Sequence, residues 1–111
     1  MGRLPEPFVR FTEAHPAMTS AYEALGAAAA AAGPLDGRTR ELVKLALAIG
    51  ARLEGAVHAH VRRALEAGVP AAELRHVVAL AVPTLGFPTA VAASTWVEEI
   101  LSPRAPRAPD R

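Results

Sequence analysis

The chain contains no cysteine. That absence removes disulfides, thiolate metal sites, cysteine nucleophiles and redox CxxC pairs together. Aromatic residues make up only 5% of the 111 residues while hydrophobic residues make up 51%, so a core has to be assembled from Ala, Val and Leu. Side chains that small let helices approach closely, which suits a tight bundle and flat contacts between subunits. An excess of one charge is missing too: 12 Lys+Arg against 11 Asp+Glu leave a net charge of +1. Arg104, Arg107 and Arg111 hold part of the positive charge in the terminal stretch. No basic face is expected on the body, and nucleic acid is not expected as a partner. The longest weakly charged run, Val77 to Val97, is interrupted by Pro83, Gly86 and Pro88, so it does not read as a membrane span. The opening MGRLPEPFVRF lacks the apolar segment of a secretion signal. A soluble, cytoplasmic protein is the expectation.

What is present is helical. No run alternates with the period of a strand, and apolar residues recur at i, i+3, i+4 and i+7 along most of the chain. The length suits one domain, expected over residues 1–101, with SPRAPRAPDR as a disordered tail over 102–111. Met1 to Pro7 reads as irregular, and Phe8, Val9 and Phe11 as a brief helical turn that docks. His15-Pro16 marks a break, because a residue before proline is pushed out of the helical region. A helix is predicted over about Ala17 to Ala32, with Tyr22, Leu25 and the alanines packing on a neighbour, and Gly33-Pro34 ends it. Asp36 is a good N-cap for a helix over Gly37 to Gly50. Its stripe of Leu42, Leu45, Ala46 and Ile49, widened by Val43 and Leu47, predicts a nearly central helix. The next helix is predicted from Leu53 to Ala67, ending at Gly68, with Leu53, Val57, His60, Val61, Ala64 and Leu65 on one face. Another starts near Pro70, carrying Leu74, Val77, Val78 and Ala81, and is kinked or ended by Pro83 or Gly86. Pro88 opens a last helix, ending near Leu101, with Val91, Trp96, Val97 and Ile100.

The chemistry is concentrated between Thr39 and Gly68. Glu41 sits at the edge of one apolar stripe, and His60 lies inside the next. A carboxylate and an imidazole in an apolar interior are costly unless they satisfy each other, and such a pair also builds a proton-transferring site. Both readings stay open: His60 as acid/base with Glu41 fixing its tautomer, or a structural pair across two helices. His58 and His60 alternate, but on a helix they point ~200° apart. They cannot chelate one ion together, and no metal is expected. His58 reads as a surface partner of Glu54 or Arg62, one turn away on either side. His15 and His76 stand alone. Arg38, Arg40 and Arg52 read as helix-end charges, with Arg40 the first choice for holding a substrate carboxylate, which arginine binds well. Trp96 and Phe87 read as core or subunit contacts.

The ordered set Leu35-Asp36, Arg38-Thr39-Arg40-Glu41-Leu42, Leu45-Ala46-Leu47-Ala48, Glu54, His60, Ala64, Ala67-Gly68-Val69, Glu73-Leu74 and Gly86-Phe87-Pro88 resembles the carboxymuconolactone decarboxylase family. That family includes the AhpD-like alkylhydroperoxidases. The resemblance implies an all-α, AhpD-like bundle of about five to six helices, assembled as a homotrimer or homohexamer. In the peroxidase branch it would place a CxxC motif at Leu53 and Ala56. Both positions are aliphatic here, so thiol peroxidase chemistry is unavailable to this chain, and a disulfide-shuttling role would need a thiol from another protein. Cysteine-free relatives on the decarboxylase side carry the acid, the histidine and a glutamate six residues before the histidine, matched by Glu41, His60 and Glu54. They work without metal or organic cofactor on acidic lactones, by proton transfer and loss of carbon dioxide.

The resemblance therefore implies a cofactor-free lyase or related proton-transfer enzyme acting on a small carboxylated, lactone-like molecule. His60 would be the general acid/base, Glu41 its orienting partner, Glu54 a second acid and Arg40 the substrate contact. The rival is a non-catalytic oligomeric member that keeps the scaffold and acts by assembly or small-molecule binding.

Overall fold

Local chemistry decides where each helix begins and stops. The structure, a computed structural model, describes residues 4–103; most of the expected tail lies outside the described residues. Six α-helices and no strand occur among the described residues: α1 Glu6–Ala14, α2 Pro16–Ala31, α3 Gly37–Gly50, α4 Glu54–Glu66, α5 Ala71–Leu85 and α6 Phe87–Leu101. The all-α expectation holds. Helix α1 is longer than the expected turn and takes in Glu6 and Pro7. Proline within the first turn loses no intrahelical bond, so the apparent breaker is a starter. His15 separates α1 from α2, as the His-Pro step predicts.

The chain divides into two compact units, one ending at Leu35 and the other beginning at Asp36. In the first, α1 and α2 form a helical pair with no buried residue in either helix. The apolar face expected for α2 is therefore not buried: Tyr22, Leu25 and Met18 are all exposed. Small side chains give α2 helical propensity without the bulk that would shield a large residue.

The second unit carries the core. Asp36 caps α3 by accepting from the Thr39 backbone N–H at 2.8 Å. That bond, with the Arg38 and Arg40 charges, holds the Asp36 carboxyl below its ordinary pKa. Leu45, Ala48 and Ile49 of α3 pack with Val57, Val61 and Ala64 of α4, Leu74 and Ala81 of α5, and Ala90, Ala93 and Val97 of α6. Alanine at five of these positions fits the close approach expected from a core poor in aromatics. Trp96 packs partly against the core, but Phe87 is exposed and takes no part in it. Val43 and Leu47 also depart from expectation: they are 42% and 67% exposed. They lie to one side of the buried stripe and widen the apolar surface of α3 instead of the core.

Two turns of one type join the helices around the site. After α4, Gly68 adopts φ 89°, its N–H reaches the Leu65 carbonyl, and the Val69 N–H reaches that of Ala64. This is a Schellman end, sealed by Val69, which is buried. After α3 the same pattern recurs: the Arg52 N–H bonds Ile49 and the Leu53 N–H bonds Ala48, both at 3.0 Å. Here the left-handed position, with φ 57°, holds Arg52 instead of glycine, so the turn carries backbone strain. Arg52 also donates to Thr89 Oγ1 of α6 at 2.6 Å.

Candidate functional site

The Arg52 turn folds α4 back along α3. Glu41 lies early in α3 and His60 in the middle of α4, so a tight reversal brings them level across the helix pair. The structure places His60 Nδ1 2.9 Å from Glu41 Oε1. Side-chain exposure is only 14% for His60 and 17% for Glu41, in a unit with no fully buried charged residue. Buried Val57, Val61 and Ala64 on α4, and Leu45 and Ala48 on α3, fix the two backbones. An ionised carboxylate can only accept, so the hydrogen of this bond is on Nδ1. Nε2 takes no part in this bond, while the carboxylate holds the ring's orientation. No buried side-chain nitrogen or oxygen among the described residues lacks a hydrogen-bond partner, which shows how completely such groups are paired.

Glu54 does not join this pair. Six residues along α4 place it ~9 Å down the axis and ~120° around the helix from His60. It is exposed, and its carboxylate groups instead with His58 and Glu99. His58 Nε2 lies 2.9 Å from Glu99 Oε1 of α6, with side-chain exposures of 21% and 30%. The expected partners of His58 were Glu54 or Arg62; the hydrogen-bonded one is Glu99, 41 residues away. The divergence of His58 and His60 is therefore structural: one imidazole ties α4 to α6, the other ties α4 to α3. Glu99 is the residue that sequence reasoning missed. Its only local signal was a place on the last apolar helix, beside Glu98.

Arg40 is half-buried, one position before Glu41. Arg38 pairs with Glu73 of α5 at 3.5 Å. Arg75 of α5 makes a two-pronged contact with Glu98 of α6, at 2.8 and 3.0 Å, and this pairing raises the arginine's pKa. His15 and His76 are exposed. Of the positions where the peroxidase branch would carry cysteines, Leu53 is exposed and Ala56 packs against the core.

A separate apolar groove runs between α3 and α5, lined chiefly by Leu42, Val43, Leu47, Val77, Leu80 and Leu85. Neither Glu41 nor His60 lines it. No helix among the described residues is long and apolar enough to cross a membrane.

A model of the carboxymuconolactone decarboxylase family matches residues 16–99. A protein from Haemophilus influenzae, named only as an uncharacterized protein, is 50% identical over 50 residues. That match covers 45% of this chain and 44% of the relative's length, so the chain is aligned to less than half of that protein. No solved structure matches the chain.

Proposed function

We propose that this chain, which belongs to the carboxymuconolactone decarboxylase family, is a cofactor-free lyase or related proton-transfer enzyme acting on a small carboxylated, lactone-like molecule. The observation that carries this reading is the 2.9 Å Glu41–His60 bond in a largely shielded position between α3 and α4. Bound Glu41 leaves His60 with one nitrogen fixed and one for exchange, which is what a general acid/base requires.

In a decarboxylation on this site, the carbon–carbon bond to the leaving carboxylate breaks. Carbon dioxide departs and the electron pair is left conjugated with the lactone carbonyl. His60, protonated at Nε2, delivers its proton to that carbon and is reprotonated by solvent. Glu41 stabilises the imidazolium before transfer and keeps the ring in place afterwards. Arg40 is assigned to a carboxylate of the substrate, from its half-buried place beside Glu41. Peroxide reduction through a CxxC pair has no place in the scheme, since the chain has no thiol.

The test is turnover of a panel of small lactone acids, followed by carbon dioxide release and by the change in ultraviolet absorbance. His60→Gln should abolish turnover while helical content and melting behaviour are retained. Full activity in that variant would end the proposal.

A second reading has its own support. The α3–α5 groove leaves large apolar residues open, among them Leu47, Leu80 and Leu85. Contiguous apolar surface of this kind marks an interface. We propose that copies of the chain associate through the groove, as the trimers or hexamers that the family resemblance implies. A scaffold that acts only by assembly would show this association with no turnover, and with a Glu41–His60 pair that no ligand disturbs.

A further inference from the structure

Glu54, His58 and Glu99 lie outside the Glu41–His60 pair, and the proposed proton transfer makes no use of them. Glu54 is the first residue of α4 and His58 lies one turn on, so both project from one edge of that helix. Glu99 reaches the same point from α6. The three ligand atoms all lie within 4.8 Å of one another.

We infer that Glu54, His58 and Glu99 form a binding site for one divalent transition-metal ion of borderline softness, with Zn2+ as the representative ion. The donor set selects that class. Imidazole nitrogen with two carboxylate oxygens suits zinc, cobalt or nickel; a hard ion such as Ca2+ takes oxygen ligands alone, and a soft one prefers sulfur. The distances fit as well. Ligand atoms ~2.1 Å from one ion are ~3 Å apart when adjacent and ~4.2 Å apart when opposite. His58 Nε2 and Glu99 Oε1, at 2.9 Å, already stand as an adjacent pair. Glu54 is exposed, and its ligand oxygen, within 4.8 Å of the other two ligand atoms, is close to the spacing of an opposite pair.

Two of the three ligands are positioned in advance. His58 sits between Val57 and Val61, both fully buried, and Glu99 follows fully buried Val97 two positions on. The helix backbones therefore hold imidazole and carboxylate at one spot before any ion arrives. Binding replaces the shared hydrogen between them. The neutral ring carries its hydrogen on Nδ1, and the Nε2 lone pair faces the ion. Two carboxylates balance the double charge, and water completes the coordination. The earlier exclusion of chelation by His58 and His60 together stands, because this site uses only the first.

The test is calorimetric titration of Zn2+ into the full chain after chelator treatment, with Co2+ absorbance as a second readout. The expected result is one ion per chain. His58→Ala should weaken binding by more than the ~10–100-fold typical of losing an outer-shell partner, and Glu54→Gln by about tenfold or more. Glu54 is exposed and tolerates replacement, so its variant decides the matter should His58→Ala fail to fold. His60→Gln should bind Zn2+ as the parent does, which separates this result from any failure of the proton-transfer reading. Absence of saturable binding, binding unchanged by His58→Ala or Glu54→Gln, or binding lost in His60→Gln would each overturn the assignment.

Discussion

Replacing His60 by leucine removes the donor to Glu41 and strands a carboxylate that is only 17% exposed. Breaking a fully buried ion pair costs ~3–5 kcal/mol, whereas exposed pairs are worth ~0–1 kcal/mol. The small residual exposure places this pair nearer the buried limit, so His60→Leu should cost about 2–3 kcal/mol. With a urea m-value of ~1–2 kcal/mol/M for a domain of this size, the unfolding midpoint should fall by ~1–3 M. Glu41→Leu should cost less, because a neutral imidazole left unpaired is cheaper than a carboxylate. The double variant, Glu41→Leu with His60→Leu, should recover the parent's stability or exceed it, since apolar replacement of a buried pair is often neutral or stabilising by ~1–4 kcal/mol. Urea unfolding of all four proteins at one chain concentration completes the cycle and keeps any association constant. A stable double variant means that stability alone does not account for the pair. Additive single effects below ~0.5 kcal/mol would refute the pairing itself. A double variant as unstable as His60→Leu would refute the functional reading.

Other outcomes follow from particular residues. Gly86 ends α5 at φ 102° and ψ 155°, a region open almost only to glycine, so Gly86→Ala should destabilise by ~1–3 kcal/mol although no atom obstructs the new methyl. Gly26 lies inside α2 with nothing within 4 Å of an added Cβ, and Gly26→Ala should raise stability by ~0.5–1 kcal/mol; both are read by chemical denaturation. Arg52→Gly should relieve the left-handed turn and raise the melting temperature despite losing the Thr89 contact, because strain of this kind costs ~1–2 kcal/mol. The Asp36 carboxyl has a folded pKa below its ordinary 3.8, so its contribution is complete above that value and is lost as pH falls through the lower folded one. The stability gap between the parent and Asp36→Ala should accordingly close in acid-unfolding curves below pH ~4. Leu47→Glu, placed in the α3–α5 groove, should shift light-scattering mass toward the monomer, and an unchanged mass would exclude that groove as the subunit contact.

The helix ends were legible because they rest on single residues acting locally. Asp36 caps, Gly68 and Gly86 stop, and His15-Pro16 breaks, each through its own backbone or side chain. Glu41 and His60 were legible for a different reason: Glu41 sits at the edge of one apolar stripe, His60 lies inside the next, and one short turn joins their helices. The fate of the apolar residues beyond the central stripe was not legible. Val43, Leu47 and the α2 face have the hydropathy of core, yet which of several apolar faces gets covered depends on how many helices pack around it. His58 and Glu99 failed for distance: 41 residues, with the whole of α5 among them, separate the two, and no periodicity links a residue of α4 to one of α6. The start of α1 was obscured because proline reads as a breaker unless its place in the first turn is known.

The most direct test of the central claim is nitrogen NMR of the His60 imidazole, assigned by its loss in His60→Gln, with and without small lactone acids. The expected result is a ring with its hydrogen on Nδ1, held by Glu41, whose Nε2 resonance moves as a lactone acid is added. A ring fixed on Glu41 that no lactone acid disturbs, in a protein that still assembles, would contradict the claim and leave the pair as a brace between α3 and α4.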